Sequence, residues 1–245
     1  MESSSRRNLL KSVLIAPAAA VLAPAVAVIP LKLLTDSAPE ARAYEPRYAQ
    51  GGTWFTPAER EFVDAAVARI IPSDDLGAGA REAGVADFID HQLAGPYGRG
   101  ETWYMQGPWR AGEEEQGYQL KLTPAQLYRA SIREIDQQAA DQYGGKHFAQ
   151  LEAAHQDELL DALEKKKLKL PSVPGDTFLS MLVDNTVEGF LADPMYGGNR
   201  DFVGWKLVGF PGPRYNYVAE IGQYGKKYDM PFVSIAGGDT GVRSS

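Results

Sequence analysis

The residues of this chain best placed to do chemistry are acids and histidines at helical spacing. Asp87, Asp90 and His91 share one face of a predicted helix and form a conceivable two-ligand metal corner. Such a site needs further ligands from elsewhere, and none announces itself, so a surface ion pair is the plainer role. Asp184 and Glu188, four apart in an apolar helix, could do paired-carboxylate acid–base work. They could equally face Asn185, a capping arginine or solvent. His147 and His155 would stand about 12 Å apart on one continuous helix, too far to share a metal. Gly77-Ala78-Gly79 with Gly84 imitates a dinucleotide fingerprint, but its spacing is wrong and it follows a helix rather than a strand. There is no Gly-x-Ser-x-Gly elbow and no Walker loop. The cysteine count is 0, which removes thiol nucleophiles, disulfides, thiolate iron–sulfur clusters, Cys-linked haem and a lipoprotein anchor.

The elements that must position these groups are helical. Thr56-Pro57-Ala58-Glu59 is a capping box, followed by the stripes Phe62/Ala66/Ile70 and Val63/Val67/Ile71. A short helix follows with Val85, Phe88, Ile89 and Leu93 on one face. Thr123-Pro124-Ala125-Gln126 repeats the capping device before Tyr128/Ile132/Ile135/Ala139, and Gly144-Gly145 ends that helix. The spacing predicts a charged helix over about 156–168 with Leu159, Leu160 and Leu163 inward. Its Lys165-Lys166-Lys167 and Lys169 read as a solvated last turn. The segment 175–192 is the most apolar, with Leu179/Val183/Val187/Phe190/Leu191 on one side and Phe178/Leu182 on the other. Two apolar sides predict a central element. Residues 95–122 form an irregular aromatic loop holding Tyr97, Trp103, Tyr104, Trp109 and Tyr118. The predicted fold is mainly α: an irregular helical domain of about five to seven helices, with long aromatic Gly/Pro-rich loops and a C-terminal arm.

That arm, 197–245, carries eight aromatics in 49 residues, broken by Gly and Pro. Ordering so long an irregular segment is costly, and wrapping a partner would offset the cost. Trp109, Trp205, Phe210, Tyr215 and Tyr217 are the candidate interface side chains, because aromatics supply most hot-spot area. The chain has 245 residues, 44% of them apolar, and a formal charge of −7. Beyond residue 43 it has 20 basic and 29 acidic groups, a balance that disfavours nucleic acid.

The first 43 residues have a different logic. Ser5, Arg6, Arg7, Leu9, Leu10 and Lys11 follow the twin-arginine export pattern, and a charge-free run extends from Ser12 to Leu31. That run could span a bilayer, but Pro17, Pro24 and Pro30 interrupt it. Ala41-Arg42-Ala43 offers a cleavage site, so removal of the leader and its retention as an anchor both stay open. The division expected is a signal segment, 1–43, and a single helical domain, 44–245, with 197–245 wrapping a partner. A folded-protein export signal on a chain without visible catalytic equipment suggests export as a pair.

From about Trp54 to Phe232 the sequence resembles the gluconate 2-dehydrogenase subunit 3 family, small subunits of bacterial membrane-associated sugar and polyol dehydrogenases. The resemblance rests on Phe55-Thr56-Pro57-Ala58-Glu59, Arg69-Ile70-Ile71-Pro72-Ser73-Asp74, Gly107-Pro108-Trp109 and Glu188-Gly189-Phe190-Leu191-Ala192-Asp193-Pro194. Its most specific parts are Gly197-Gly198-Asn199-Arg200-Asp201 and Trp205-Lys206-Leu207-Val208-Gly209-Phe210-Pro211-Gly212. The resemblance implies a three-part periplasmic complex at the outer face of the inner membrane. A large subunit binds FAD and oxidises gluconate, or fructose, glucose or sorbitol in sister systems. A cytochrome c subunit carries haem c. The small subunit supplies the signal read by the twin-arginine translocation machinery and stabilises the flavoprotein, with no catalytic residue or cofactor of its own. The alternatives from other classes are a free-standing exported hydrolase using Asp184 and Glu188, and a binding protein of the envelope.

Overall fold

Two threonine capping boxes start the two helices that frame the core. The computed structural model describes residues 54–110, 112–113, 116–228 and 230–236. At Thr56 the hydroxyl accepts from the Glu59 amide at 3.3 Å and the Glu59 carboxylate accepts from the Thr56 amide at 2.8 Å. Two orphan donors are thereby satisfied, and Pro57 costs nothing at the first helical position. Helix α1 runs Pro57–Ile70 and buries Phe62, Val63, Ala66, Val67 and Ile70, as the i, i+4 spacing predicts. Helix α2, Val85–Ala94, starts behind Gly84 at φ +72° and buries Val85, Phe88, Ile89 and Leu93. Helix α3, Pro124–Gln142, repeats the capping box through Thr123 and Gln126 and buries Tyr128, Ile132, Ile135 and Ala139.

The chain then turns through Gly144 and Gly145, both at positive φ, and a single 3-10 turn at Phe148–Gln150. His147 therefore lies in this turn and His155 in the following helix, not on one continuous helix. Helix α4 is Ala153–Glu164, shifted about three residues toward the N-terminus from the expected 156–168. The lysine run lies beyond it: Lys166 takes φ +55°, and the Lys167 and Leu168 amides both return to the Ala162 carbonyl. That reversal closes the helix before its last lysines can join it.

Helix α5, Gly175–Leu191, packs against α1, α2, α3 and α4, so it is the central element. Its buried stripe departs from the hydropathy pattern. Phe178, Leu182, Asn185, Thr186, Gly189 and Phe190 are buried, whereas Val183, Val187 and Leu191 are half-buried. The reason is close packing on α2: a Cβ at Gly189 would lie 2.8 Å from the Phe88 ring. Phe62 meets Phe148 at 4.7 Å and Phe178 at 6.4 Å, and Tyr128 stands edge-on to Phe178 at 5.3 Å. Each such fully buried side chain contributes about 1.5–3 kcal/mol relative to exposure. After α5 come 3-10 turns at Pro194–Tyr196 and Arg200–Phe202, then a short helix α6, Val203–Val208. Among the described residues there are six α-helices and no sheet, only one isolated bridge between Asp74 and Gly77. No helix among them is long and apolar enough to cross a membrane.

Candidate partner interface

The segment after α5 joins the arm to the body through three glycines and an asparagine. A Cβ at Gly198 would meet the Gly189 carbonyl oxygen at 2.1 Å, and one at Gly204 would meet the Phe190 oxygen at 1.9 Å. Gly197 sits at φ +101° against the His91 ring. Asn199 is fully buried; its amide donates to the Ala192 carbonyl at 2.8 Å and its oxygen accepts from Gly204 at 2.9 Å. It thereby satisfies the frayed end of α5 and the first turn of α6 together. The Arg200 amide donates to the Ala83 carbonyl at 2.9 Å and its guanidinium reaches Asp87 at 2.8 Å. The Gly-Gly-Asn-Arg run is thus a clip holding the arm root on α2 and α5.

Trp205, expected at an interface, is instead interior. It is 4% exposed, its ring N–H donates to the Leu191 carbonyl at 2.7 Å, and it stacks on Phe202 at 5.4 Å. An indole finds its polar partner and its apolar cover inside the fold here, so it anchors the arm rather than offering a surface. Phe210 stands edge-on to Trp205 at 5.0 Å but keeps 41% of its surface exposed.

Beyond Phe210 the arm leaves the body and comes back. At the mouth the Val233 amide donates to the Pro211 carbonyl at 3.2 Å. Gly212 is at φ +93°, and a Cβ there would lie 2.0 Å from the Val233 oxygen. Asp193, buried at the end of α5, accepts from the Met195 amide at 3.0 Å, from the Ser234 hydroxyl and from the Ile235 amide at 2.7 Å. Across the loop the Tyr217 hydroxyl donates to the Gly212 carbonyl and Arg214 donates to the Pro231 carbonyl. Arg214 also lies over the Tyr228 ring at 5.8 Å. Residues 212–228 and 230–235 therefore form a closed, internally braced loop rather than a tail. Tyr217 is half-buried in that bracing, whereas Tyr215 is fully exposed. With it Val218, Ile221, Tyr224, Met230 and Ile235 present apolar surface to solvent.

The aromatic loop between α2 and α3 is built on a ladder of rings. Tyr97 meets Trp103 at 5.7 Å and Trp103 meets Tyr118 at 4.9 Å. Above them Trp103, Tyr104, Met105, Trp109 and Tyr118 help line a shallow cleft of about 440 Å³. Trp109 is 41% exposed on its rim.

The acids and histidines take structural partners. Asp87 engages Arg60 at 2.6 Å with one oxygen and Arg200 at 2.8 Å with the other. Asp90 is buried and accepts from the Phe55 amide at 2.7 Å, while His91 is 3.5 Å from the Tyr196 carbonyl. The three groups on that face thus hold α1, the arm and the entry strand of chain. Gly79 packs on the chain itself: its Cβ would be 2.4 Å from the Ile71 oxygen, so its close approach is to backbone and not to a phosphate. His147 faces Asp136 at 3.7 Å, and the His155 ring lies tilted against Tyr143 at 4.6 Å.

Asp184 and Glu188 are exposed at the outer edge of a buried chain that hydropathy did not reveal. The Tyr97 hydroxyl donates to the Asn185 oxygen at 3.1 Å, and the Asn185 amide donates to the Tyr128 hydroxyl at 2.8 Å. Burial pushes the Tyr97 hydroxyl up to about 12, against the pull of its bond to Asn185. Burial and the neighbouring Asp184 likewise raise Glu188. Replacing Asn185 by leucine leaves a buried phenol unpaired and is expected to cost about 2 kcal/mol. Adding Tyr128→Phe should return part of that loss, and urea titration of both variants measures it. An undiminished loss in the double variant would refute the pairing.

Ser5, Arg6, Arg7, Leu9, Leu10, Lys11 and the boundary at residue 43 lie outside the described residues. Residues 57–212 match the family model described as gluconate 2-dehydrogenase subunit 3. The match stops twenty residues short of Phe232, at the glycine where the loop leaves the body. Among curated proteins and solved structures, none matches the chain.

Proposed function

Since the chain belongs to the gluconate 2-dehydrogenase subunit 3 family, and so to a multi-subunit dehydrogenase, we propose that it is the non-catalytic small subunit and export escort of that complex. In this reading a large subunit binds FAD and oxidises gluconate, and a cytochrome subunit with haem c takes the electrons. A fructose, glucose or sorbitol dehydrogenase would use the same arrangement. The complex faces the periplasm at the inner membrane. The small subunit carries the twin-arginine signal for a flavoprotein that folds around its cofactor before export, and then stabilises it.

The observation that carries the reading is the family match over 57–212, which takes in the arm root. It is supported by the Arg6-Arg7 pair ahead of a charge-free run. Asp87, Asp90 and His91, the candidate metal corner, each engage an arginine or a backbone group. Changing Arg6 and Arg7 to lysine is expected to hold both this chain and the flavin-binding subunit in the cytoplasm. Cell fractionation with a flavin assay reads the outcome. A flavoprotein that still reaches the periplasm would sink the escort role, and turnover by the purified chain alone would favour a free-standing enzyme.

A further inference from the structure

We propose that the closed loop 212–235 is the docking element for the flavin-binding subunit, and that it fits an apolar surface there rimmed by carboxylates. The inference rests on the subunit role proposed above and deepens it by naming the surface and the chemistry of its counterpart.

Three observations converge on the loop. The first is exposed apolar area. Tyr215, Val218, Ile221, Tyr224, Met230 and Ile235 lie within it and are 57–102% exposed. Among the described residues before Phe210, large apolar side chains stand exposed only at Leu76, Tyr104 and Trp109. Exposed apolar side chains grouped on one element mark an interaction site, whereas the same side chains scattered singly would not.

The second is rigidity. A floppy segment must be ordered on binding, which consumes part of the interaction energy. Here the ordering is already done, by Asp193 holding Ser234 and Ile235, by the Pro211–Val233 bond and by Arg214 bridging to Pro231. The loop presents its tyrosines on a braced frame, which suits a specific surface.

The third is charge. Residues 44–211 carry 16 basic and 26 acidic groups, but 212–235 carry Arg214, Lys226 and Lys227 against Glu220 and Asp229. The loop is thus a slightly basic patch on an acidic body, and its exposed Lys226 favours a partner with carboxylates at the edge of its apolar ground. The same numbers disfavour a lipid surface. An excess of one positive charge gives little hold on anionic lipid, where each basic group contributes about 1 kcal/mol.

Arg214, Lys226 and Lys227 also make the loop readable by trypsin. The test compares the full chain alone with the co-expressed, co-purified complex, and follows cleavage after Lys226 and Lys227 by mass spectrometry. Cleavage in the complex is expected to be slower by about tenfold or more. The variant Ile221→Asp/Tyr224→Asp changes two exposed side chains and should keep the parent's circular dichroism and melting point. It is expected to lower the co-purified flavin by about tenfold. Equal cleavage in the free and bound chain would overturn the proposal, as would full flavin recovery with the double variant. Sedimentation of the free chain with phosphatidylglycerol vesicles, or its dimerisation in solution, would also overturn it if the double variant abolished that behaviour. If the wild-type chain brings down no flavin at all, the subunit role falls as well. If flavin comes down and the lysines remain cleavable, only the docking surface falls.

Discussion

Gly198→Ala is expected to destabilise the protein by about 3 kcal/mol, the upper end of the usual cost of overpacking. The added methyl would lie 2.1 Å from the carbonyl oxygen of Gly189 and 2.9 Å from its carbon. Both are backbone atoms of α5, held on the other side by Phe88, so no flexible side chain can swing away. Gly198 is not in the left-handed region, so the substitution tests space alone and not backbone conformation. Gly222→Ala is the matched control, because nothing lies within 4 Å of the methyl it would add; its effect should stay within about 0.5 kcal/mol. Urea denaturation followed by far-ultraviolet circular dichroism compares the two. Coincident midpoints would show that the arm root does not need this close approach.

The second large effect is at Trp205. Removing the indole opens a cavity beneath Phe202 and Phe210 and leaves the Leu191 carbonyl without its donor, so Trp205→Ala should cost about 3–5 kcal/mol. Trp205→Phe keeps a ring against Phe202 and should fall between the alanine variant and the parent. Because the would-be Cβ of Gly212 lies 3.0 Å from the Trp205 ring, the loop mouth rests on this side chain. Trypsin should therefore cut the free alanine variant faster after Arg214 than it cuts the parent. The opposite pattern, unchanged stability with lost flavoprotein, would return Trp205 to the interface role its composition suggests.

That reversal shows where the sequence is legible and where it is not. Helices α1 and α3 follow from capping boxes and i, i+4 stripes, and α2 from its apolar stripe alone, because local hydrogen bonding and one-sided burial both act within a few residues. The central place of α5 is legible from its apolar content, yet its buried stripe is not. Asn185 and Gly189 are interior there because Tyr128 and Phe88, from distant positions, accommodate them, while the Thr186 hydroxyl donates to the Leu182 carbonyl of its own helix. Trp205 and Tyr215 illustrate the same limit at the arm. Both are aromatics in an irregular Gly/Pro-rich stretch, and composition cannot separate the one that anchors from the one that projects. Asp193 had only a local reading, as the residue before Pro194 that ends a helix. Its bonds to Ser234 and Ile235 span 41 and 42 positions, and no spacing rule reaches that far.

The return of the chain to Asp193 makes everything between Gly212 and Val233 a detour. Closing such a detour becomes harder only with the logarithm of its length, so its contents could be lengthened, shortened or rewritten while the six helices fold unchanged. On the docking role proposed above, choice of dehydrogenase would reside in a cassette, transferable between small subunits by exchanging the residues between two fixed posts.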